Sequence, residues 1–578
     1  MAEILHNGEG VEAEALHILE DLKNGKKSIS DLLGPLYGDR ELTPTINLRP
    51  GTTAEVPVAP EAHVSPMDEH NTHLVDNVHP PTYENPEPRE DYDLVVIGAG
   101  VSGLLSVIMG KALGKRCAMI EKQYMGGDCL NIGCVPSKAL ISCARRFNEV
   151  KNSAEFGVIL PEGEVRIDFG HVMARMRKIR ASISEHDSVA RYARDFCEHI
   201  FLGHARFTGD HSIEVAGKTL NFKKAMIATG ASASIVPIPG LKDTPHLTNA
   251  NFFNLTELPP RLSVIGCGPI GLEMAQSLQR FGCQVTCFEA MPQLLPKEDK
   301  DAALLLKESL EKDGLVIKLG CKIKRVERVG EGEVPSYCAP WNIYRMVLDV
   351  DGQEEVYESE ALLNATGRTP NVFDLGLEVV GVDYDNRRGV LIDECFKTTN
   401  PDIYSCGDCS TAYKFTHSAD FQARLAIRNM FLGDNNRLSQ LLIPWATYTE
   451  PEVGHVGLYE YELDERGIEY ETYKRELAAV DRCKCDGVTE GFVKISVKKG
   501  TDEILGATIV GPNAGDFISE LTVCIQCNIG CKTLAGIIHP YPTTAESIRQ
   551  CAAQYNKNIR TPAVNKALEM LLEQQEKK

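Results

Sequence analysis

Nowhere among the chain's 578 residues do 18 apolar residues run together, so no membrane-spanning helix is expected. The first twenty residues lack an apolar stretch and are acidic and free of arginine. Neither a secretory leader nor a mitochondrial presequence is read there, and a cytoplasmic location is expected. Positive charge is scarce as well. Lys and Arg number 61 against 81 Asp and Glu, a net charge of −20. That opposes nucleic acid or an anionic membrane as a partner, because holding phosphates needs a local excess of cations. No short-period repeat is visible, which sets aside solenoids and propellers. Cysteine, by contrast, is plentiful: there are 19, an odd number, scattered along the chain. This pattern fits free thiols in a reducing compartment and not a disulfide-stapled secreted domain.

At roughly 150 residues per domain the length implies about four domains. Residues 11–23 predict one amphipathic helix, with Val11, Ala15, Leu19 and Leu22 on one face. From Leu42 to Glu90 the composition turns to Pro, Thr, Glu, His and Asn, which reads as a linker or disordered tail, with a docking arm as the alternative. The texture changes at Asp91. DYDLVVIGAG is an apolar run ending in glycines, as a buried parallel strand would be, and LSVIGCG repeats the pattern from Leu262. Each run is followed by a helical pattern and another strand, which is the grammar of a βαβ unit.

The first unit carries Gly98-Ala-Gly100-Val-Ser-Gly103 between its strand and helix. In that pattern Gly98 serves a tight turn, Gly100 lets a pyrophosphate approach the backbone, and Gly103 permits close helix–strand packing. The helix N-terminus then meets the phosphate charge. Glu121 closes the next strand, 23 residues beyond Gly98, where it can accept hydrogen bonds from ribose hydroxyls. The second unit repeats this with Gly266-Cys-Gly268-Pro-Ile-Gly271 and Glu289, again 23 residues on. An acid at that point favours the free 2′-hydroxyl of NADH over the 2′-phosphate of NADPH, and no Arg or Lys follows it directly. Two such units imply two dinucleotides. Just after the first lies GGDCLNIGCVPSKAL, in which Cys129 and Cys134 are spaced so that their sulfurs can meet if the segment is distorted. The pair is either two buried structural thiols or a reactive couple placed beside a cofactor at a helix start, where thiol pKa values fall.

These segments together make the sequence resemble the class I pyridine nucleotide-disulfide oxidoreductases, which include dihydrolipoyl dehydrogenase, glutathione reductase and mercuric reductase. The landmarks occur in order: GAGVSG, GGDCLNIGCVPSK, IATGA (227–231), GCGPIGLE, NATGRTPN (364–371), TNPDIYSCGD (399–408) and HPYPTTAE (539–546). The resemblance spans about 91–558 and implies an α/β fold: two Rossmann-like domains, for FAD and NAD, and a C-terminal α+β dimerisation domain. The expected division is a partly disordered extension over 1–90, FAD domain over 91–254 and 369–440, NAD(P) domain over 255–368, dimerisation domain over 441–558 and a tail over 559–578. It further implies a homodimer whose active site is shared across subunits. The cofactors implied are FAD and NAD(H). Gly127, Thr229, Gly230, Gly367 and Asp408 join the glycine loops as cofactor contacts, with the helix starting near Thr416-His417 aimed at the flavin. Cys129 and Cys134 become a redox-active disulfide, Cys134 nearest the flavin and Cys129 the interchange thiol. Lys138 is placed beside the flavin and paired with Glu273.

The tail departs from the pattern of the lipoamide and glutathione enzymes, whose His-Pro-Thr-x-x-Glu supplies an acid–base histidine from the partner subunit. Here Tyr541 stands at that position and Glu546 follows. A phenol with a pKa near 10 is a poor base at neutral pH, and His539, two residues away, is read as a packing residue. Tyrosine there, with GGDCL, LLPKED (294–299) and FTH (415–417), resembles the mercuric-reductase branch. Yet that branch's C-terminal vicinal cysteines are missing: the last cysteine is Cys551. The expected function is an NAD(P)H oxidoreductase that passes electrons through the disulfide to a small-molecule or protein disulfide or a soft acceptor. Dihydrolipoyl dehydrogenase and a slow, flavin-bound redox sensor are the alternatives. No metal site is expected. Cys524, Cys527 and Cys531, at helical spacing, Cys483 and Cys485, and Cys406 and Cys409 beside Asp408 are all read as small buried residues.

Overall fold

The computed structural model describes residues 60–161, 163, 165–330, 336–350 and 352–559, together with isolated positions on either side. The helix expected over residues 11–23 lies outside the described residues. The run that opens at Asp91 forms the strand Tyr92–Ile97, flanked in parallel by Cys117–Glu121 and Lys218–Ile227. His199–Leu202 lies beyond Cys117–Glu121. Tyr92–Ile97 and Cys117–Glu121 are almost wholly apolar and buried because both faces of the sheet are covered there, whereas Lys218–Ile227 is polar and partly exposed over its first half and continuously buried only at Ala225–Ile227. One cover is the helix Val101–Ala112, which packs against Thr416–Leu432. The sheet is completed from far along the chain: Ile403–Ser405 pairs in parallel with Ala225–Ile227.

A second parallel sheet lies between those pieces, in the order Val316–Lys318, Gln284–Phe288, Arg261–Ile265, Ala361–Asn364. Its crossover helix Pro269–Phe281 starts with proline at the first turn, where no amide partner is needed, and stops at Gly282 with φ 110°. A three-stranded antiparallel sheet (Lys322–Val329, Ile343–Val350, Gln353–Ser359) follows. The C-terminal unit is a five-stranded antiparallel sheet, Trp445–Thr447, Glu452–Gly457, Ile504–Gly511, Phe492–Lys498 and Tyr470–Glu476, backed by the helix Ala514–Gln526.

Two sequence expectations need correction. The stretch read as a linker up to Glu90 contains the helix Glu69–Val78, capped by the Asp68 carboxylate, which accepts from Asn71 N at 2.9 Å. Leu74 and Val78, one turn apart, are fully buried against the helix Phe169–Ser184. A polar composition concealed this i, i+4 pair. In the C-terminal unit the helical spacing of Cys524, Cys527 and Cys531 is broken, because the helix ends at Gln526 and Asn528 takes φ 55°. Cys524 and Cys531 are buried, whereas Cys527 and Cys485 are exposed.

Candidate active site

The two glycine loops are built alike. Gly98 N donates to Ile120 O and Gly266 N to Phe288 O, both at 2.8 Å. A Cβ on Gly98 would stand 2.3 Å from Ala228 O, and one on Gly266 2.6 Å from Ala365 O, so both turns exclude side chains. Added to Gly103 or Gly271, a Cβ would collide with the carbonyl of Gly98 or Gly266, at 1.8 and 2.2 Å. The middle glycines differ: Gly268 has open space where a Cβ would go, and Gly100 faces only the Gly127 Cα at 3.9 Å. Each strand-end acid braces its loop. Glu121 accepts from Ala99 N (2.6 Å) and Gln123 N (2.7 Å); Glu289 accepts from Cys267 N (2.9 Å) and Met291 N (3.0 Å). Burial raises the Glu121 pKa in spite of those backbone donors.

Between the loops, Gly127–Asn131 forms a short helix and Cys134 opens the longer helix Cys134–Lys151. Gly133 makes the break, where a Cβ would meet Asp128 O at 2.7 Å. The break is the distortion that brings the sulfurs together: the Cys129 thiol donates to Cys134, whose Sγ lies 3.4 Å from Thr416 Oγ1. The Cys129 bond, the Thr416 hydroxyl and the Lys138 charge outweigh desolvation and draw the Cys134 pKa down to about 6. Cys129 moves the other way, since its proton serves that bond. Lys138 Nζ sits 2.8 Å from the nearly buried Glu273 carboxylate and 4.3 Å from the centroid of the Tyr448 ring. Tyr448 N donates to the other Glu273 oxygen at 3.0 Å.

Asp408 lies 3.6 Å from Arg368 Nε, and burial raises its pKa against the charges of Arg368 and Lys414. Arg368 also pairs with Asp128. The helix Thr416–Leu432 has no side-chain cap, leaving its first amides open. His417 Nε2 is tied to Pro444 O at 2.7 Å, and the ring stacks on Phe415. Both glycine loops, both acids, Thr229, Gly230, Gly367, Asp408, Lys138, Glu273 and the cysteine pair line one continuous cavity of about 2060 Å³. Drug-sized ligand sites run to about 1,000 Å³, so this cavity has room for more than one such ligand.

The tail residues stand elsewhere. Tyr541 is 70% exposed and its hydroxyl donates to Asp481 at 3.2 Å. Glu546, expected opposite it, instead accepts from Arg549 at 2.8 Å. His539 Nε2 is held by the Glu520 carboxylate at 2.8 Å. Cys406 and Cys409 are buried. Among the described residues no three His, Cys, Asp or Glu side chains are grouped to hold a metal. Sequence reasoning missed Tyr448, Arg368 and Asp128, whose roles depend on long-range contacts. It also missed Glu298, a buried cavity residue with its pKa raised to about 7 by desolvation; LLPKED was noticed without this acid.

Residues 92–423 match the family model for pyridine nucleotide-disulphide oxidoreductases, and residues 443–552 match that family's dimerisation domain. The chain belongs to this family. It is 31% identical to a mercuric reductase of Bacillus cereus, over 82% of this chain and 73% of the relative. It is also 31% identical to a dihydrolipoyl dehydrogenase of Geobacillus stearothermophilus, over 80% and 95%. Among solved structures it resembles the HOCl-induced flavoprotein disulfide reductase RclA of Escherichia coli, in its Cu(II) complex. The TM-score is 0.69 at 26% identity, covering 81% of this chain and all of that one. An oxidoreductase of this family uses FAD and a pyridine nucleotide, and the dimerisation domain supports a homodimer. The residues present fit the two cofactors. The middle glycine of each loop, Gly100 and Gly268, leaves open the space a Cβ would take, where a pyrophosphate must approach. The uncapped helix at Thr416 opens onto the cavity, and Arg368 Nε is buried there without a hydrogen-bond partner. No helix among the described residues is long and apolar enough to cross a membrane.

Proposed function

We propose that this oxidoreductase takes electrons from NADH and delivers them, through Cys129 and Cys134, to a disulfide or a soft acceptor. The observation that carries the proposal is the placement of the cysteine pair, with Lys138–Glu273 beside it, in the one cavity joining both glycine loops. Bound FAD would supply the two-electron relay between nicotinamide and sulfur. The protein's own groups do the rest. Glu273 holds Lys138 in place, and the Lys138 ammonium with Thr416 stabilises a Cys134 thiolate. Cys129 attacks an acceptor disulfide, its proton passing to the thiolate that is expelled, which leaves as a thiol. The Cys134 thiolate then attacks the mixed disulfide, closing Cys129–Cys134 and releasing the second sulfur as a thiolate; two electrons leave the pair. Glu289, braced at the second loop without a following cation, favours NADH.

The test is NADH oxidation with oxidised glutathione, lipoamide, Hg²⁺, Cu²⁺ and quinones. Cys129→Ser and Cys134→Ser should each keep bound FAD and lose turnover with the disulfide acceptors. Parental disulfide turnover by Cys129→Ser would show that the assigned redox pair is wrong.

A further inference from the structure

The family match begins at residue 92, yet an earlier segment reaches the same cavity. Val58, Pro60, Glu61 and Ala62 all line it. Val58 pairs in an antiparallel bridge with Ser234. The Glu61 carboxylate pairs with Lys122, the residue after the strand-end acid Glu121, and bonds to Gln123 with His204 nearby. These contacts, Lys122 first, hold its pKa below the usual carboxylate range. Asn254 clamps the chain behind it, accepting from Ser65 N at 3.0 Å and donating to His63 O at 2.7 Å.

An anchor follows. Asp68, at the start of the helix Glu69–Val78, pairs with Arg177 at 2.5 Å. Asn71 accepts from the buried Arg180 at 2.7 Å, and Arg180 donates also to Asn131 O at 2.6 Å, between the two cysteines. At the helix end, Val78 O accepts from Met125 N at 3.1 Å. The segment is thus stitched to residues 122–131, which run from the strand-end acid Glu121 through Cys129 toward Cys134.

We propose that residues 60–78, with Val58 ahead of them, are a strap built into the FAD site: it closes over the adenosine end at Glu121–Gln123, so that FAD leaves only when the strap lifts. The inference rests on the reading that the first glycine loop holds FAD. Two features favour a cofactor role over mere packing. Glu61 spends its charge at the cavity wall, on the residue next to Glu121, and the buried Asn71–Arg180–Asn131 chain fixes the strap to the loop that must hold still around the cofactor.

The experiment measures FAD release from the purified holoenzyme on dilution, by the rise of flavin fluorescence. Removing residues 1–62, which keeps the anchor helix, should speed release at least about tenfold, equivalent to about 1.4 kcal/mol. Glu61→Lys, which sets like charge against Lys122, should speed it several-fold, by a factor that shrinks as salt rises. FMN, which lacks adenosine, should bind parent and variants alike. Melting of the flavin-free proteins should agree, showing that the strap acts on the cofactor and not on the fold. Parental release rates in both variants, or an equal effect on FMN, would overturn the strap. If the truncated chain fails to fold, Glu61→Lys decides alone. A parent protein that binds no FAD would instead remove the reading of the first loop, and the strap with it.

Discussion

Cys134 occupies a position where five influences compete: the Cys129 thiol, the Thr416 hydroxyl and the Lys138 ammonium favour ionisation, while desolvation and the Glu273 carboxylate oppose it. The favourable group wins. In the reduced enzyme both sulfurs are therefore protonated below about pH 6, and above it Cys134 is a thiolate while Cys129 keeps its proton. Thiolate absorbance near 240 nm should rise with a midpoint at about 6, the depressed value of the Cys134 thiol. Lys138→Met should move the midpoint up toward the ordinary thiol range. A parent enzyme with no thiolate until well above pH 8 would contradict this account. The Lys138–Glu273 pair was legible because both residues lie in recognisable motifs. Tyr448, which covers Lys138 and donates to Glu273, was not: nothing local marks a tyrosine whose partners are 175 and more residues away.

At the scale of the element, the two β-turn-α units show why the sequence read so clearly. A strand buried on both faces must be apolar, the turn must be glycine, and the brace must be an acid at the next strand end, so three constraints coincide in a short stretch. The same brace makes Glu289 structural, and under the proposal above it is also the residue that selects NADH. Glu289→Ala should weaken NADH more than NADPH, narrowing the gap between them in stopped-flow flavin reduction. Faster reduction by NADPH in the unmodified protein would show that a cation elsewhere reads the 2′-phosphate. Elements went unread where such constraints were few. The helix Glu69–Val78 buries only Leu74 and Val78 as its apolar side chains, and the end of Ala514–Gln526 is set by a left-handed Asn528 instead of a glycine.

In the whole molecule the segment 539–546 stands apart from the cavity of its own chain. Tyr541 lies exposed, bonded to Asp481 and outside the cavity lining of its own chain, which suits a residue whose work is done across a dimer interface. A positioned base contributes about 10²–10⁴-fold, so dihydrolipoamide oxidation by the parent should be slow while NADH still reduces the flavin quickly. Tyr541→His, with Asp481 at hand to orient the imidazole, should raise that rate and leave turnover with a metal or quinone unchanged. Parent turnover of hundreds per second with dihydrolipoamide, inside the usual ~1–10³ s⁻¹ span, would require another base. The sheet that pairs Ile403–Ser405 with Ala225–Ile227 sets a further condition, one of time. Ser405 Oγ closes on Ile227 O across 178 residues of chain. At about 5–20 residues per second, a ribosome needs roughly 10–35 s to deliver that strand after its neighbour has emerged. Throughout that interval the nascent sheet has an open edge, and the cavity lacks the wall that Asp408 and the helix at Thr416 supply.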